Sequence, residues 1–208
     1  MNVYVETNFV LELAFRQEQS QACEKIIQLG EKSVLTLVLP AYSLAEPHEK
    51  LSRQATQRIE LQEKLEHEIH QLTRTAPYRD RINSIRDING LLIQSNQEER
   101  EIFYNYLKIL LKISHIIPLA PEILNSAVQT EQIFNLKPQD AIVYASVKTH
   151  LEKVKPEKSC FLNRNVRDFG TLDIKNDLLK HNCKMISNFK DGLGFICSEL
   201  KKDGVDCA

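Results

Sequence analysis

The residues from Ser33 to Pro40 (SVLTLVLP) form an almost continuous apolar run that a proline closes. A strand without polar alternation is typical of a parallel sheet that is covered by helices on both faces. Three shorter segments have the composition of further strands: NVYV at Asn2–Val5, SCFLN at Ser159–Asn163 and CKMIS at Cys183–Ser187. Segments with helical spacing separate these strands. The alternation predicts an α/β fold of three layers, α/β/α, around a central, mostly parallel sheet.

The middle of the chain departs from this alternation because it is helical for most of its length. Apolar residues recur at helical steps over 44–72, and they do so again up to residue 113. The segment Ala76–Tyr78 (APY) breaks the pattern between the two regions. Asn96–Glu99 has the form of a capping box, which predicts that a helix begins there. The middle is therefore predicted to be a long helical hairpin.

A chain of 208 residues can bury a core of its own, which favours one domain with an elaboration. We predict a domain over residues 1–190, with the helical hairpin inserted at about 50–113, and a C-terminal tail at 191–208. The tip of the hairpin, Thr73–Arg86, holds four arginines against one aspartate, with Tyr78 among them. This stretch is either an ordinary solvated tip or a nucleic-acid contact.

Composition excludes several classes of protein. A net charge of −1 is unlike that of proteins that hold nucleic acid by bulk positive charge. The odd number of cysteines, without a C-x-x-C pair, argues against a disulfide framework and a zinc site. The chain opens without a signal peptide pattern, and it has no apolar stretch long enough to span a bilayer. We therefore expect a cytoplasmic protein without a membrane partner. The five cysteines are Cys23, Cys160, Cys183, Cys197 and Cys207.

Acidic residues recur where a strand gives way to a helix. Glu6 follows the first strand, although Thr7 or Asn8 could cap the next helix without it. Glu46 and Asp140 each lie in the first predicted turn of a later helix, where the helix dipole alone can explain an acid. Ligands of parallel sheets bind at the carboxyl ends of the strands, and several carboxylates placed there repel one another unless a cation neutralises them. Mg²⁺ or Mn²⁺, which prefer oxygen ligands, would meet that need.

The loop after the SCFLN strand, NRNVRDFG, adds polar groups at the same edge of the sheet. Asn165 and Asp168 can complete a metal shell, although Asn163 and Asn165 are also common turn formers. Arg164 and Arg167 flank this position and could bind phosphate through paired hydrogen bonds. Surface ion pairs are an equally good explanation for the two arginines.

In this order, the motifs resemble a PIN domain, the nuclease fold of many bacterial toxin–antitoxin ribonucleases. The resemblance covers about residues 1–50 and 115–190 and treats the helical middle as an enlargement. It implies a Mg²⁺- or Mn²⁺-dependent endoribonuclease that hydrolyses single-stranded RNA. It also implies a homodimer and a possible antitoxin partner. The motifs are the strand-acid-Thr-Asn start, the acid after the second strand, Pro-x-Asp-Ala at Pro138–Ala141, and LNRNVRDF at Leu162–Phe169.

Carried over by position, the resemblance implies that Glu6, Glu46 and Asp140 bind the metal and act in catalysis. Asn165 takes the place of a fourth acid, with Asp168 as a nearby substitute ligand. Glu6 is one methylene longer than the usual aspartate, and Asn165 brings no charge. A non-catalytic PIN-like module that binds RNA or protein is therefore the alternative, and a purely structural helical protein would leave the acids unexplained. The implied substrate contacts are Asn8, Asn163, Arg164 and Arg167.

Overall fold

A computed structural model of the protein describes residues 1–78, 82 and 86–207, with the backbone alone for residues 86 and 87. Within this part of the chain five parallel strands form one sheet in the order β3-β2-β1-β4-β5. This confirms the predicted α/β architecture, and the sheet is parallel throughout. The strands are β1 Asn2–Val5, β2 Thr36–Pro40, β3 His115–Ile117, β4 Ser159–Leu162 and β5 Cys183–Ile186.

Helices occupy most of the remaining described chain. A short 3₁₀ turn, Ala76–Tyr78, follows the third of them, where the sequence predicted a break. The helices are α1 Thr7–Ala14, α2 Ser20–Glu31, α3 Tyr42–Thr73, α4 Arg86–Ile113, α5 Pro121–Phe134, α6 Pro138–Val154, α7 Val166–Phe169, α8 Leu172–Leu179 and α9 Phe189–Lys202. None of these described helices is long and apolar enough to cross a membrane.

The sheet separates two apolar cores, because successive side chains of a strand point to opposite faces. In β1, Val3 and Val5 enter one core while Tyr4 enters the other. The first core is completed by α1, α2, α9 and the base of the hairpin, and the second by α5, α6 and α8. Strands buried on both faces account for the continuous apolar runs in the sequence.

Strand β3 is the one strand that the sequence analysis did not predict. It has three residues, HII, and His115 pairs with Val38 of β2 at the edge of the sheet. So short a segment, directly after a long helix, carries no period of its own. Tertiary pairing with β2 defines it as a strand.

The predicted hairpin is present as α3 and α4, but the capping box at Asn96–Glu99 does not begin a helix. Helix α4 runs through it without interruption. Instead, Asn96 Oδ1 accepts a hydrogen bond of 2.9 Å from Arg58 Nη1, and Glu99 forms two charged hydrogen bonds with the same guanidinium. These polar residues connect α3 to α4. Of the arginines at the predicted basic tip, Arg79 and Arg81 lie outside the described residues.

Helix α3 begins earlier than predicted. It starts at Tyr42, so Glu46 lies beyond the first turn and Pro47 lies inside the helix. Proline has no N–H to donate there, which removes one hydrogen bond of the helix. Pro47 is one of the buried residues of this helix. Because α3 starts at Tyr42, Glu46 lies within a long, continuous helix.

The predicted C-terminal tail is largely helical. Helix α9 covers Phe189–Lys202, and its Ile196 and Leu200 are buried in the first core. After the helix, a hydrogen bond from Val205 N–H to Leu200 O turns the chain back. This turn places Cys207 beside Cys197, and the two form a disulfide with a Cα–Cα distance of 5.3 Å. The sequence analysis argued against a disulfide framework and missed this single bridge, because the pairing depends on the turn.

The Arg58–Glu99 pair generates a prediction about stability. Both side chains are only 18 % exposed, and the contact joins residues 41 positions apart. We expect Arg58→Ala to lower the free energy of unfolding by about 1–3 kcal/mol, because it leaves a charged carboxylate without its donors. Urea unfolding measures the change. Arg53→Ala, which breaks an exposed pair with Glu49, is the control and should stay within about 0.5 kcal/mol of the parent. Equal effects of the two variants would contradict this role.

Candidate active site

A cleft of about 590 Å³ lies beside the carboxyl ends of β1, β2 and β4. Residues from α1, α3, α6 and the loop after β4 line it. This is where ligands of parallel α/β sheets are expected to bind. Six of the residues predicted from the sequence line this one cleft: Glu6, Asn8, Glu46, Asp140, Arg164 and Asn165.

Glu6 is the cap of helix α1, a role that the sequence analysis gave to Thr7 or Asn8. The helix begins at Thr7, and Glu6 Oε2 accepts a hydrogen bond of 2.9 Å from Asn8 N–H. The side chain is only 5 % exposed, and its other oxygen, Oε1, is buried without a hydrogen-bond partner in the described part of the chain. Capping therefore explains one oxygen of Glu6 and leaves the second unexplained.

The environment of Glu6 opposes its negative charge. The pKa of this carboxyl is raised to about 8, chiefly by burial and in smaller part by the charges of Glu46 and Asp140. The hydrogen bonds from Asn8 act in the opposite direction but do not compensate. A carboxyl in this environment holds a proton at neutral pH unless a cation replaces the proton.

Glu46 is held in the cleft by a residue of α1. Thr7 Oγ1 donates a hydrogen bond of 2.5 Å to Glu46 Oε2, and Thr7 itself is buried. The contact links the start of α1 to α3, and the two residues are 39 positions apart in the sequence. The conformation of Glu46 therefore depends on the same strand-to-helix junction that places Glu6.

Asp140, in the first turn of α6, lines the cleft together with Glu6 and Glu46. Burial raises its pKa to about 6, and the neighbouring charge of Asp168 adds to the shift. Asn165 Nδ2 donates to Asp140 Oδ1 at 3.3 Å and to Asp168 Oδ2 at 2.8 Å. Lys137 Nζ also lies 3.8 Å from Asp168 Oδ2. The amide of Asn165 therefore joins the two acids where a further carboxylate would repel them.

The remaining predicted residues do not line the cleft. Asp168 is not among the residues that line the cleft, and its carboxylate is bound to the Asn165 amide and lies beside Lys137. Asn163 is 1 % exposed, and its Oδ1 accepts from Asn165 N–H at 2.7 Å, so it shapes the loop and is not positioned to contact a substrate. Arg167 is exposed but is not part of the cleft wall.

The structure adds one residue that the sequence analysis missed. Glu12, in α1, is 1 % exposed and lines the cleft together with Arg164, to which it is bound through Arg164 Nη1 and Glu12 Oε2. The signal was available, since Glu12 is an acid among the apolar residues of a short helix. Its partner lies 152 residues away, so the pairing depends on the fold.

The donor groups fit a hard divalent cation. Among the residues that the structure describes, no three His, Cys, Asp or Glu side chains lie close enough together to hold a metal ion between them. Glu6, Glu46 and Asp140 instead line the same cleft from three different elements. The unpartnered, buried Oε1 of Glu6 is the observation that favours a cation, because a buried carboxylate oxygen without a partner is costly. Mg²⁺ commonly keeps several waters and takes only one or two carboxylates, so it does not require a closed cage.

Comparison with known proteins agrees with this architecture. A family model described as PIN domain matches residues 3–169. The chain therefore belongs to the PIN-domain family. No curated protein matches it in sequence. The structure of VapBC2 from Rickettsia felis bound to a DNA fragment from their promoter shows 10% identity and a TM-score of 0.44, covering 89% of this chain and 98% of that one. Such a score is a loose similarity in chain path, so the assignment rests on the family match.

The raised pKa of Glu6 predicts a pH-dependent contribution to stability. In metal-free protein the unfolded chain releases this proton near pH 4.5 while the folded chain retains it to about pH 8. The contribution of Glu6 is therefore full below about pH 4.5 and is lost as pH rises to about 8, by an amount on the order of a few kcal/mol. The measurement is the difference in unfolding free energy between the parent and Glu6→Gln across this range, in EDTA.

Metal addition completes this test. Mn²⁺ should raise the melting temperature of the parent most at high pH, where fewer protons compete for the acids, and should have little effect on Glu6→Gln. In EDTA, a difference in unfolding free energy between the parent and Glu6→Gln that does not change with pH would contradict the assigned environment of Glu6.

Proposed function

We propose that the protein is a metal-dependent endoribonuclease that hydrolyses phosphodiester bonds of single-stranded RNA. PIN domains are generally nucleases, and the chain belongs to that family. The observation that carries the proposal is the buried, unpartnered Oε1 of Glu6 in a cleft shared with Glu46 and Asp140. Capping of α1 does not use this oxygen, whereas a cation would.

Glu6, Glu46 and Asp140 are the residues that would hold Mg²⁺ or Mn²⁺ or orient water beside it. When bound, such an ion activates water and stabilises negative charge on a phosphate. The protein contributes the positions of the acids. The Thr7 hydroxyl fixes Glu46, and the Asn165 amide fixes Asp140, so neither carboxylate is free to rotate away.

Cations near the acids favour a polyanionic substrate. Lys50 and Arg53 line the cleft on the same face of α3 as Glu46, four and seven residues further along the helix. At 1.5 Å per residue, they lie roughly 6 and 10 Å from Glu46 along the helix axis. A nucleic-acid backbone can thus contact the cations of α3 while one phosphate lies near the acids.

Asp140→Asn tests the proposal directly. We expect the variant to cleave single-stranded RNA no faster than a chelator-treated sample, because it removes the carboxylate that α6 contributes to the cleft. The matched control is Asp173→Asn, which changes an exposed acid in the first turn of α8, away from the cleft. The control should retain the parent rate. Cleavage by Asp140→Asn at the parent rate would show that any activity has another source.

Asn165→Asp tests the role of the amide. In metal-free protein it replaces two hydrogen bonds with repulsion among three carboxylates, so the melting temperature should fall. With Mn²⁺ the added charge should strengthen metal binding and speed RNA cleavage. Thermal unfolding with and without Mn²⁺, together with a cleavage assay, measures both effects. An active parent that Asn165→Asp impairs would instead show that the site is built for a neutral amide.

The amide also supports a second candidate function. Asn165 supplies no charge and occupies an oxygen of Asp140, which favours a PIN-like module that binds RNA or protein without cleaving it. The two candidates differ in one outcome. If neither the parent nor Asn165→Asp cleaves any RNA or DNA offered with Mn²⁺, the binding module is the better account.

The other implied partners and the location remain predictions. These are an antitoxin, a second copy of the chain and a cytoplasmic location. A neighbouring gene for a small protein with a DNA-binding start and a disordered tail would support a toxin role. Light scattering at micromolar concentration would test the dimer, with a mass near 24.0 kDa counting against it.

A further inference from the structure

The charge of Glu12 is unusual for its position. It is the one charged residue of α1, and its side chain is only 1 % exposed. A buried carboxylate is costly unless it is paired and hydrogen-bonded. Both oxygens of Glu12 meet that condition. Oε1 accepts a hydrogen bond of 2.6 Å from Gln19 N–H, and Oε2 is bound to Arg164.

The surroundings of Glu12 hold it in one position. Gln19, whose N–H binds Glu12, uses its own Oε1 to accept from the N–H groups of Phe189 and Lys190 at the start of α9. The carboxylate therefore belongs to a network that joins α1, the start of α2 and α9. A charge fixed in this way can fix the side chain that pairs with it.

Arg164 connects this network to the cleft. It lies between Asn163, which shapes the loop after β4, and Asn165, which contacts Asp140. Its side chain is 35 % exposed and lines the cleft. Within the described chain Glu12 is the hydrogen-bond partner of its guanidinium, and that contact uses Nη1. A guanidinium has five N–H donors, so donors remain for a ligand in the cleft.

We propose that Arg164 binds a phosphate of the RNA backbone beside the acids, and that Glu12 is the positioning residue that fixes its guanidinium. This inference rests on the proposed function and names a contact within the same site. The planar guanidinium can bind a carboxylate along one edge and a phosphate along another. Lysine cannot bind both with the same geometry. The pair therefore places a fixed donor in the same cleft as the cations of α3.

A purely structural ion pair predicts different behaviour from a phosphate contact. A structural pair affects folding alone, so its loss should lower the melting temperature without altering how the folded protein binds RNA. A phosphate contact contributes to the salt dependence of binding, because each phosphate that is neutralised on a single strand changes the slope of log Kd against log salt by about 0.7. The slope therefore distinguishes the two roles.

The experiment measures binding of a short single-stranded RNA by fluorescence anisotropy in EDTA, with full-length protein carrying Asp140→Asn to prevent cleavage. Arg164→Gln should reduce the salt slope by about 0.7 and weaken binding. Arg164→Lys and Glu12→Gln should keep the slope, because the charge at position 164 remains. In active protein that keeps Asp140, assayed with Mn²⁺, Arg164→Lys and Glu12→Gln should each lower kcat/KM for RNA at least tenfold. The matched control, Lys148→Gln, breaks a similarly shielded pair with Asp177 outside the cleft and should change neither the slope nor kcat/KM.

The outcomes separate this inference from the proposed function. An unchanged slope in Arg164→Gln, with RNA still bound, would overturn the phosphate contact and leave the ribonuclease proposal intact. Retention of full kcat/KM by folded Glu12→Gln would overturn the positioning role. Failure of the Asp140→Asn protein to bind RNA at any salt, together with a parent that cleaves none, would overturn the ribonuclease proposal and this inference with it. The melting temperature of each variant confirms that the protein measured is folded.

Discussion

The burial of one carboxylate at the end of the first strand is the constraint on which the candidate site depends. Strand β1 lies at the centre of the sheet, between β2 and β4, so a residue directly after it is enclosed by neighbouring strands and helices. Glu6 occupies that place, caps α1 with one oxygen and leaves the other without a partner. A buried charge of this kind needs a proton or a cation. Glu46 and Asp140 line the same cleft, and their charges add to the cost of ionising Glu6.

The inserted hairpin belongs to the site as well as to the scaffold. Helix α3 begins at Tyr42 and contributes Glu46 to the cleft, while α4 buries Phe103 and Leu110 in the first core. The link between Arg58 and Glu99 joins the two helices further out. The position of the acid and of the cations beyond it on α3 therefore depends on the packing of α3 against α4.

Much of this arrangement could be predicted from the sequence, and the failures have physical causes. Apolar composition identified four strands, because burial leaves a local signature in the sequence. Strand β3 has no such signature, since pairing with β2 defines it. The box at Asn96–Glu99 has the pattern of a helix start, but Arg58 on another helix binds its polar groups. The pairing of Glu12 with Arg164 required two distant segments to meet, which periodicity does not reveal.

The central claim is that Glu6 Oε1 is part of a cation site, and anomalous diffraction from crystals soaked in Mn²⁺ tests it most directly. The account predicts an anomalous peak in the cleft within about 2.5 Å of Glu6 Oε1 and near Asp140, since hard divalent ions bind carboxylate oxygens at about that distance or less. The peak should disappear in Glu6→Gln crystals grown under the same conditions. A peak at another part of the protein, or none at millimolar Mn²⁺ with Glu6 ionised, would contradict the account.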